Sequence, residues 1–191
     1  MNPSPQQKLF MLLLGCKPPG RHTEQHDVLF AVGTKPSDLI QQIDDFWPEA
    51  MGRLHIDAWR EITSVNGYQI SVVEKTAGAS AIGDNKLFFI NLGGYLKGQF
   101  DEQHYILLSV NPDSASATKE AKQTVFYRET EFEDAVSHID DKYGIDVDDL
   151  YEIEDILMPG IKDKYAIQIT KAANLPEDKI HLGYFKLSKL P

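Results

Sequence analysis

The feature that most constrains how this chain folds is an internal repeat. The stretch Lys8 to Gly33, KLFMLLLGCKPPGRHTEQHDVLFAVG, slides over Lys86 to Asn111, KLFFINLGGYLKGQFDEQHYILLSVN, with a constant offset and no gap. Lys8, Leu9 and Phe10 fall on Lys86, Leu87 and Phe88. Leu14 and Gly15 fall on Leu92 and Gly93, and Gly20 falls on Gly98. Glu24, Gln25 and His26 fall on Glu102, Gln103 and His104, and Leu29 and Val32 on Leu107 and Val110. Ordinary residue usage gives on the order of one or two such identities by chance. A stretch written twice builds the same local structure twice, so the repeat governs every later reading.

In the first copy, Leu9 to Leu14 is a continuous apolar run of strand length, bounded by Pro5 and Gly15. Cys16 to Gln25, with Pro18-Pro19-Gly20 inside it, is a loop. From His26 to Val32 the residues alternate, which predicts a second strand antiparallel to the first. Thr34 to Asp38 opens a helix, with Thr34 as its cap and Leu39, Ile40, Ile43 and Trp47 on its core face, ended by Pro48. Leu54 to Ile62 is a third strand. Asn66-Gly67 is a turn, and Tyr68 to Val73 a fourth strand. The unit over residues 8–75 is therefore strand–strand–helix–strand–strand.

The Gly/Ala/Ser-rich stretch Ala77 to Asp84 reads as a linker to a second unit over 86–170. That unit repeats the two opening strands, with a polar Asn91 in place of Leu13. A helix is expected over Ala115 to Phe126. An added segment, 127–143, carries its own helical pattern at Phe132, Ala135, Val136 and Ile139. Beyond it Asp146 to Ile153 matches His55 to Ile62, and Tyr165 to Ile169 matches Tyr68 to Val72. A competing alignment sets His138-Ile139-Asp140 opposite His55-Ile56-Asp57. The extension 171–191 has no counterpart in the first copy. Its Lys179 to Leu187 segment is expected to pair with a sheet edge that would otherwise invite aggregation. The fold class is α+β: two similar units, each a mostly antiparallel sheet with a helix on one face, related by a pseudo-twofold.

Composition excludes several classes of function. No run approaches the roughly 20 apolar residues of a membrane span. The start, Asn-Pro-Ser-Pro-Gln-Gln, lacks the features of a signal peptide, and the single Cys16 rules out an internal disulfide framework, so a cytoplasmic setting is expected. A net charge of -10 disfavours nucleic acid and anionic membranes as partners. The acidity is concentrated in residues 81–191, with 12 Lys+Arg against 20 Asp+Glu. The plain reading of that half is solubility, and an acidic face for a basic partner is the other.

The apolar strand followed by Leu-Gly-Gly-Tyr, Gly and Glu-x-His at Leu92 to His104, with Leu-His-Ile-Asp-x-Trp ahead of Asn-Gly-Tyr at Leu54 to Tyr68, resembles the bacterial family called domain of unknown function 1543. The resemblance spans nearly the whole chain except 127–143 and the extension, and it implies one or two copies of a domain per chain. It implies no activity. The chain departs from the family pattern at Cys16-Lys17, where Gly-Tyr is expected, and at Asp146, where His is expected.

Chemistry has few places to reside. Glu24 and His26 sit two apart at the mouth of a strand, so both point to one face. His55 and Asp57 do the same on the third strand, Glu102 and His104 repeat the first pair, and Asp146 and Asp148 stand where the second pair would be. With the strands adjacent, Glu24, His26, His55 and Asp57 converge, and two imidazoles with carboxylates suit Zn²⁺ or Fe²⁺. The plainer reading has Glu-Gln-His pinning the long loop by hydrogen bonds in both halves. Asp148-Asp149 reads as solvated, Cys16 as a small buried residue, and the glycines of Gly15–Gly20 and Gly93–Gly98 as loop residues serving positive φ.

The leading expectation is thus a duplicated small-ligand-binding or interaction module, with ligand-binding candidates Glu24, His26, His55, Asp57, Glu102 and His104. The alternative is a metal-dependent hydrolase built on Glu24, His26, His55 and Asp57. No organic cofactor is called for; a divalent metal enters only with the alternative. A homo-oligomer is compatible with the repeat, and the small molecule or protein partner is left open.

Overall fold

The computed structural model describes residues 5–75, 83–95, 100–123 and 145–191, with the side chains of Tyr95, Ile145 and Asp146 not described. The helical segment expected at 127–143, residues 77–82 of the expected linker and the Gly98 position of the loop lie outside these residues.

Strand β1 (Lys8–Cys16) lies inside its sheet, with Phe10, Leu12, Leu14 and Cys16 buried on one face and Leu9 and Gly15 buried, Met11 and Leu13 partly buried, on the other, so its sequence is a continuous apolar run and not an alternation. It pairs antiparallel with β2 (Gln25–Gly33), Lys8 opposite Gly33 through Cys16 opposite Gln25. On its other side it pairs antiparallel with β3 (His55–Glu61). One face of β1 points Phe10, Leu12, Leu14 and Cys16 into a core shared with Leu29 and Ala31 of β2 and Ile56 of β3. Leu39 and Ile43 close that core. They come from a 3-10 turn, Pro36–Leu39, that runs into helix α1 (Ile40–Phe46). The cap differs from the expected Thr34 hydroxyl. Asp38 reaches back and accepts from the Thr34 and Lys35 backbone N–H groups at 3.1 and 3.2 Å, because a carboxylate at the helix start satisfies orphan donors.

The Asn-Gly turn joins β4 (Ser64–Val65) to β5 (Tyr68–Glu74), with Asn66 at φ 50° and Gly67 at φ 80°. Both central residues being left-handed is the requirement that selects Asn-Gly. β5 therefore pairs through a new short strand and not with β3.

The second compact unit spans Gly83–Asp155. Its β6 (Lys86–Tyr95) lies between β7 (Glu102–Asn111) and β8 (Ile145–Glu152), all antiparallel. Helix α2 (Ser114–Ala121) is capped by Asp113, whose carboxylate accepts from Ser116 N–H at 2.7 Å. It buries Ala117 and Ala121 against Phe88, Ile90 and Leu92. The register sets Asp146 opposite Gly93 as His55 is set opposite Gly15. This agrees with the Asp146–Ile153 alignment; the competing segment, His138 to Asp140, lies outside the described residues.

The chain then returns to the first unit, which comprises Met1–Ile82 and Ile156–Pro191. β9 (Tyr165–Lys171) pairs antiparallel with β5, completing a β4-β5-β9 sheet. β10 (His181–Lys186) covers the outer edge of β3, giving the order β10-β3-β1-β2. Ahead of it Asp178 accepts from Thr63 N–H at 3.0 Å, and after it Leu187 and Leu190 pack on the core. The architecture is α+β, mostly antiparallel sheets with a few helices. No helix among the described residues is long and apolar enough to cross a membrane.

Candidate functional site

Because Leu29 and Ala31 face the α1 core, alternation turns His26 to the opposite face of the sheet. His55 turns the same way, since its neighbour Ile56 is in the core. Gly15 lies between them, paired with His26 on one side and His55 on the other. Asp57 stands at a β-bulge. Leu14 pairs with Ile56 and Leu13 with Ala58, which leaves Asp57 as the extra residue on β3. A bulge of this kind re-aims a side chain, here that of Ala58.

The four side chains meet around the imidazole Nε2 atoms. Asp57 Oδ2 is 3.0 Å from His26 Nε2, and Asp57 Oδ1 is 3.2 Å from His55 Nε2. Glu24 Oε1 is 3.2 Å from His55 Nε2, and Glu24 Oε2 is 3.9 Å from His26 Nε2. Each carboxylate thus spans both histidines. An Nε2 carries at most one hydrogen, so His55 cannot make straight hydrogen bonds to both oxygens 3.2 Å away. A tetrahedral ion with ligands at about 2.0–2.1 Å separates its ligand atoms by about 3.3–3.4 Å, close to the 3.2 Å from His55 Nε2 to Glu24 Oε1 and to Asp57 Oδ1.

Gly15 is required for space, which corrects the expectation that it serves positive φ in a loop. A Cβ there would overlap the His55 imidazole and lie 2.7 Å from Asp57 Oδ2. His55 is buried, with 6% of its side chain exposed, whereas Glu24 and His26 are each 45% exposed, so the cluster opens to solvent on one side. Tyr184 of β10 stacks on His55 at a centroid distance of 4.2 Å. Sequence reasoning missed this residue, because nothing local in the extension marks β3 as its partner. Cys16 points into the core with Sγ 4.0 Å from the Ala50 carbonyl, and burial pushes its thiol above the usual range. That leaves nitrogen and oxygen as the donors of this cluster.

The second unit repeats the plan with other chemistry. Glu102 and His104 open β7, and Asp148 is the extra residue of a bulge between Val147 and Asp149. His104 Nε2 is 3.5 Å from Asp148 Oδ2 and 3.8 Å from Glu102 Oε2, and one donor atom of each of the three lies within 4.8 Å of the others. Gly93 is again a matter of space: its Cβ would overlap the Asp148 carboxylate. Asp148 is exposed, in keeping with the solvated reading of Asp148-Asp149, and both carboxylates also have partners. Asp148 approaches His104, and Asp149 accepts from Asn91 Nδ2 at 3.3 Å and from the Tyr151 hydroxyl at 3.4 Å. Asn91 Oδ1 is buried without a hydrogen-bond partner among the described residues.

The family model described as Domain of Unknown Function (DUF1543) matches residues 21–72, the span that holds Glu24, His26, His55 and Asp57, and it supports the family resemblance. No curated protein matches this chain. In fold, the chain is similar to the crystal structure of a protein Il1583 from Idiomarina loihiensis, with a TM-score of 0.62 and 20% identity over 96% of this chain and 99% of that one. At that identity the likeness speaks for the fold alone.

Proposed function

We propose that the chain is a duplicated small-ligand-binding module whose first centre is a divalent cation held by Glu24, His26, His55 and Asp57. The observation that carries this reading is the bridging of both imidazole Nε2 atoms by both carboxylates at 3.0–3.9 Å. Two nitrogens with two oxygens suit Zn²⁺ or Fe²⁺. The solvent-open side, where Glu24 and His26 are half exposed, admits a water or a small anion as a further ligand. That opening also favours hydrolysis as a second reading: Glu24, His26, His55 and Asp57 would hold the cation, which would supply an acidified water for attack on an ester or amide.

Duplication is supported by the register. Gly15 opposite His26 and His55 recurs as Gly93 opposite His104 and Asp146, with both bulges at the same place. The β5–β9 pair adds to it. When Tyr68–Val72 is equated with Tyr165–Ile169, the pairs Ile70–Ile169 and Val72–Ile167 exchange into one another, as a local twofold demands.

The test is elemental analysis of the untagged full chain, purified without chelators, beside its His26→Ala and His55→Ala variants. One equivalent of zinc or iron, lost in both variants, is expected. Absence of metal even after incubation with Zn²⁺ and Fe²⁺ would remove the proposal. A panel of esters and amides on the loaded chain then separates hydrolysis from binding.

A further inference from the structure

We infer that Glu102, His104 and Asp148 form a second cation centre, one that prefers a harder ion, Mn²⁺ over Zn²⁺ relative to the first. The inference rests on the same reading of converging imidazole and carboxylate groups, applied to a different donor set. Here the described donors are one imidazole and two carboxylates, all within 4.8 Å. The backbone position filled by His55 in the first unit is filled by Asp146, since both pair with the glycine at the centre of the cluster. Nitrogen donors favour zinc and iron; carboxylate, carbonyl and water favour manganese, magnesium and calcium. A set of one imidazole and two carboxylates therefore shifts preference toward manganese relative to two imidazoles and two carboxylates, and does not merely weaken the site.

Two features beyond the cluster point the same way. In the first unit the row of the sheet beside the histidines is apolar: Leu182, Ala58, Leu13 and Val28 are successive cross-strand neighbours. In the second unit the matching row begins Asp149, Asn91. Asn91 stands two residues before Gly93, hence on the same face, and its buried Oδ1 has no donor among the described residues. Hard divalent ions keep several waters, and a bound water is the donor such an oxygen wants. Gly93 leaves room for Asp148 that any side chain would take away.

The test uses the full chain loaded with one equivalent of Zn²⁺ and then titrated with Mn²⁺, followed by electron paramagnetic resonance. Wild type, His104→Ala, Asp148→Asn and His26→Ala are compared, with circular dichroism confirming that each is folded and Glu102→Gln replacing any that is not. We expect one Mn²⁺ site, weakened at least about tenfold in the His104 and Asp148 variants. Titrated without added Zn²⁺, His26→Ala should bind Mn²⁺ as wild type does under the same conditions, while its Zn²⁺ binding, measured separately, falls. Mn²⁺ bound equally by wild type and by the His104 and Asp148 variants, or not bound at all, overturns the inference. If Mn²⁺ behaves as expected while His26→Ala leaves Zn²⁺ binding intact, the first-centre proposal fails and this one stands.

Discussion

Set side by side, the cluster at Gly15 joins two imidazoles to two carboxylates next to an apolar row, and the cluster at Gly93 joins one described imidazole to carboxylates next to Asn91 and Asp149. The scaffold is the same in both: a central strand with a glycine, a flanking strand opening on Glu-x-His, and another flanking strand bulged at an aspartate. The difference lies in what was exchanged on that scaffold. His55 stacks under Tyr184 and is almost wholly buried, which fixes the ring. Its counterpart position in the second unit is an aspartate. Similar strand pairings thus bring together different side chains, Glu24, His26, His55 and Asp57 in one cluster and Glu102, His104 and Asp148 in the other.

The sharpest way to break the comparison is to exchange the unlike positions. His55→Ala is expected to weaken Zn²⁺ binding by more than about 100-fold, since losing a direct donor exceeds the 10–100-fold cost of losing a supporting one. The converse, Asp146→His, should raise the second centre's affinity for Zn²⁺ and lower its preference for Mn²⁺. Calorimetry with both ions reads both changes. If Asp146→His leaves the preference untouched, the assigned equivalence of the two positions is wrong.

Next in size are the glycines. Gly15→Ala places a methyl group against a buried imidazole, Gly93→Ala against a carboxylate that swings more freely. Overpacking costs about 1–3 kcal/mol, and Gly15→Ala belongs at the upper end. Thermal melting and metal titration together should show a larger loss for Gly15→Ala on both readouts. Equal losses would mean that the two clusters are equally rigid.

The extension provides a third contrast. Asp178→Ala leaves Thr63 N–H without its acceptor and loosens the approach to β10, at a cost of about 1–3 kcal/mol. Tyr184 loses its hold on His55 as β10 frays, so Zn²⁺ affinity falls with stability while Mn²⁺ affinity does not. An unchanged Zn²⁺ affinity would make the Tyr184 stack incidental.

The smallest effects concern groups that the two units share or hide. Asp38 and Asp113 cap the helix starts of the first and second units, and hydrogen bonds to Thr34 and to Ser116 hold their carboxyls below the usual range. A carboxylate with a lowered folded value stabilises the chain above its unfolded value, and that stability is lost as pH falls through the folded one. Asp38→Asn and Asp113→Asn should therefore flatten the loss of melting temperature below about pH 4. Cys16, sealed in the core with its thiol raised by burial, should react with a disulfide reagent only when denaturant is added. Fast reaction in the folded chain would show that the core beneath Gly15 opens.

Much of this geometry was legible along the chain. The repeat located both hairpins, and a period of two put Glu24 with His26 and His55 with Asp57 on one face, which the register of β1, β2 and β3 then brings together. What stayed hidden was non-local. A bulge is one extra residue with no compositional mark, so the turn of Ala58 and Asp149 onto the face of the bulged aspartates could not be read. Gly15 and Gly93 looked like loop glycines because the space they leave is filled by side chains of another strand. Asn91 signalled a need for a partner, and its partner Asp149 comes from a strand far along the chain. The pairing of β10 with β3, and with it Tyr184 on His55, brings a late segment back to an early one, and periodicity carries no information about such a return.

The measurement that bears most directly on the central claim is a zinc titration against a chromogenic chelator, comparing the wild-type chain with His55→Ala and Glu24→Gln. One tightly held equivalent is expected in the wild type, lost in His55→Ala and weakened in Glu24→Gln, with all three chains folded. Zinc held equally by all three, or by none, would contradict it and leave Glu24, His26, His55 and Asp57 as an ion-paired brace for the loop.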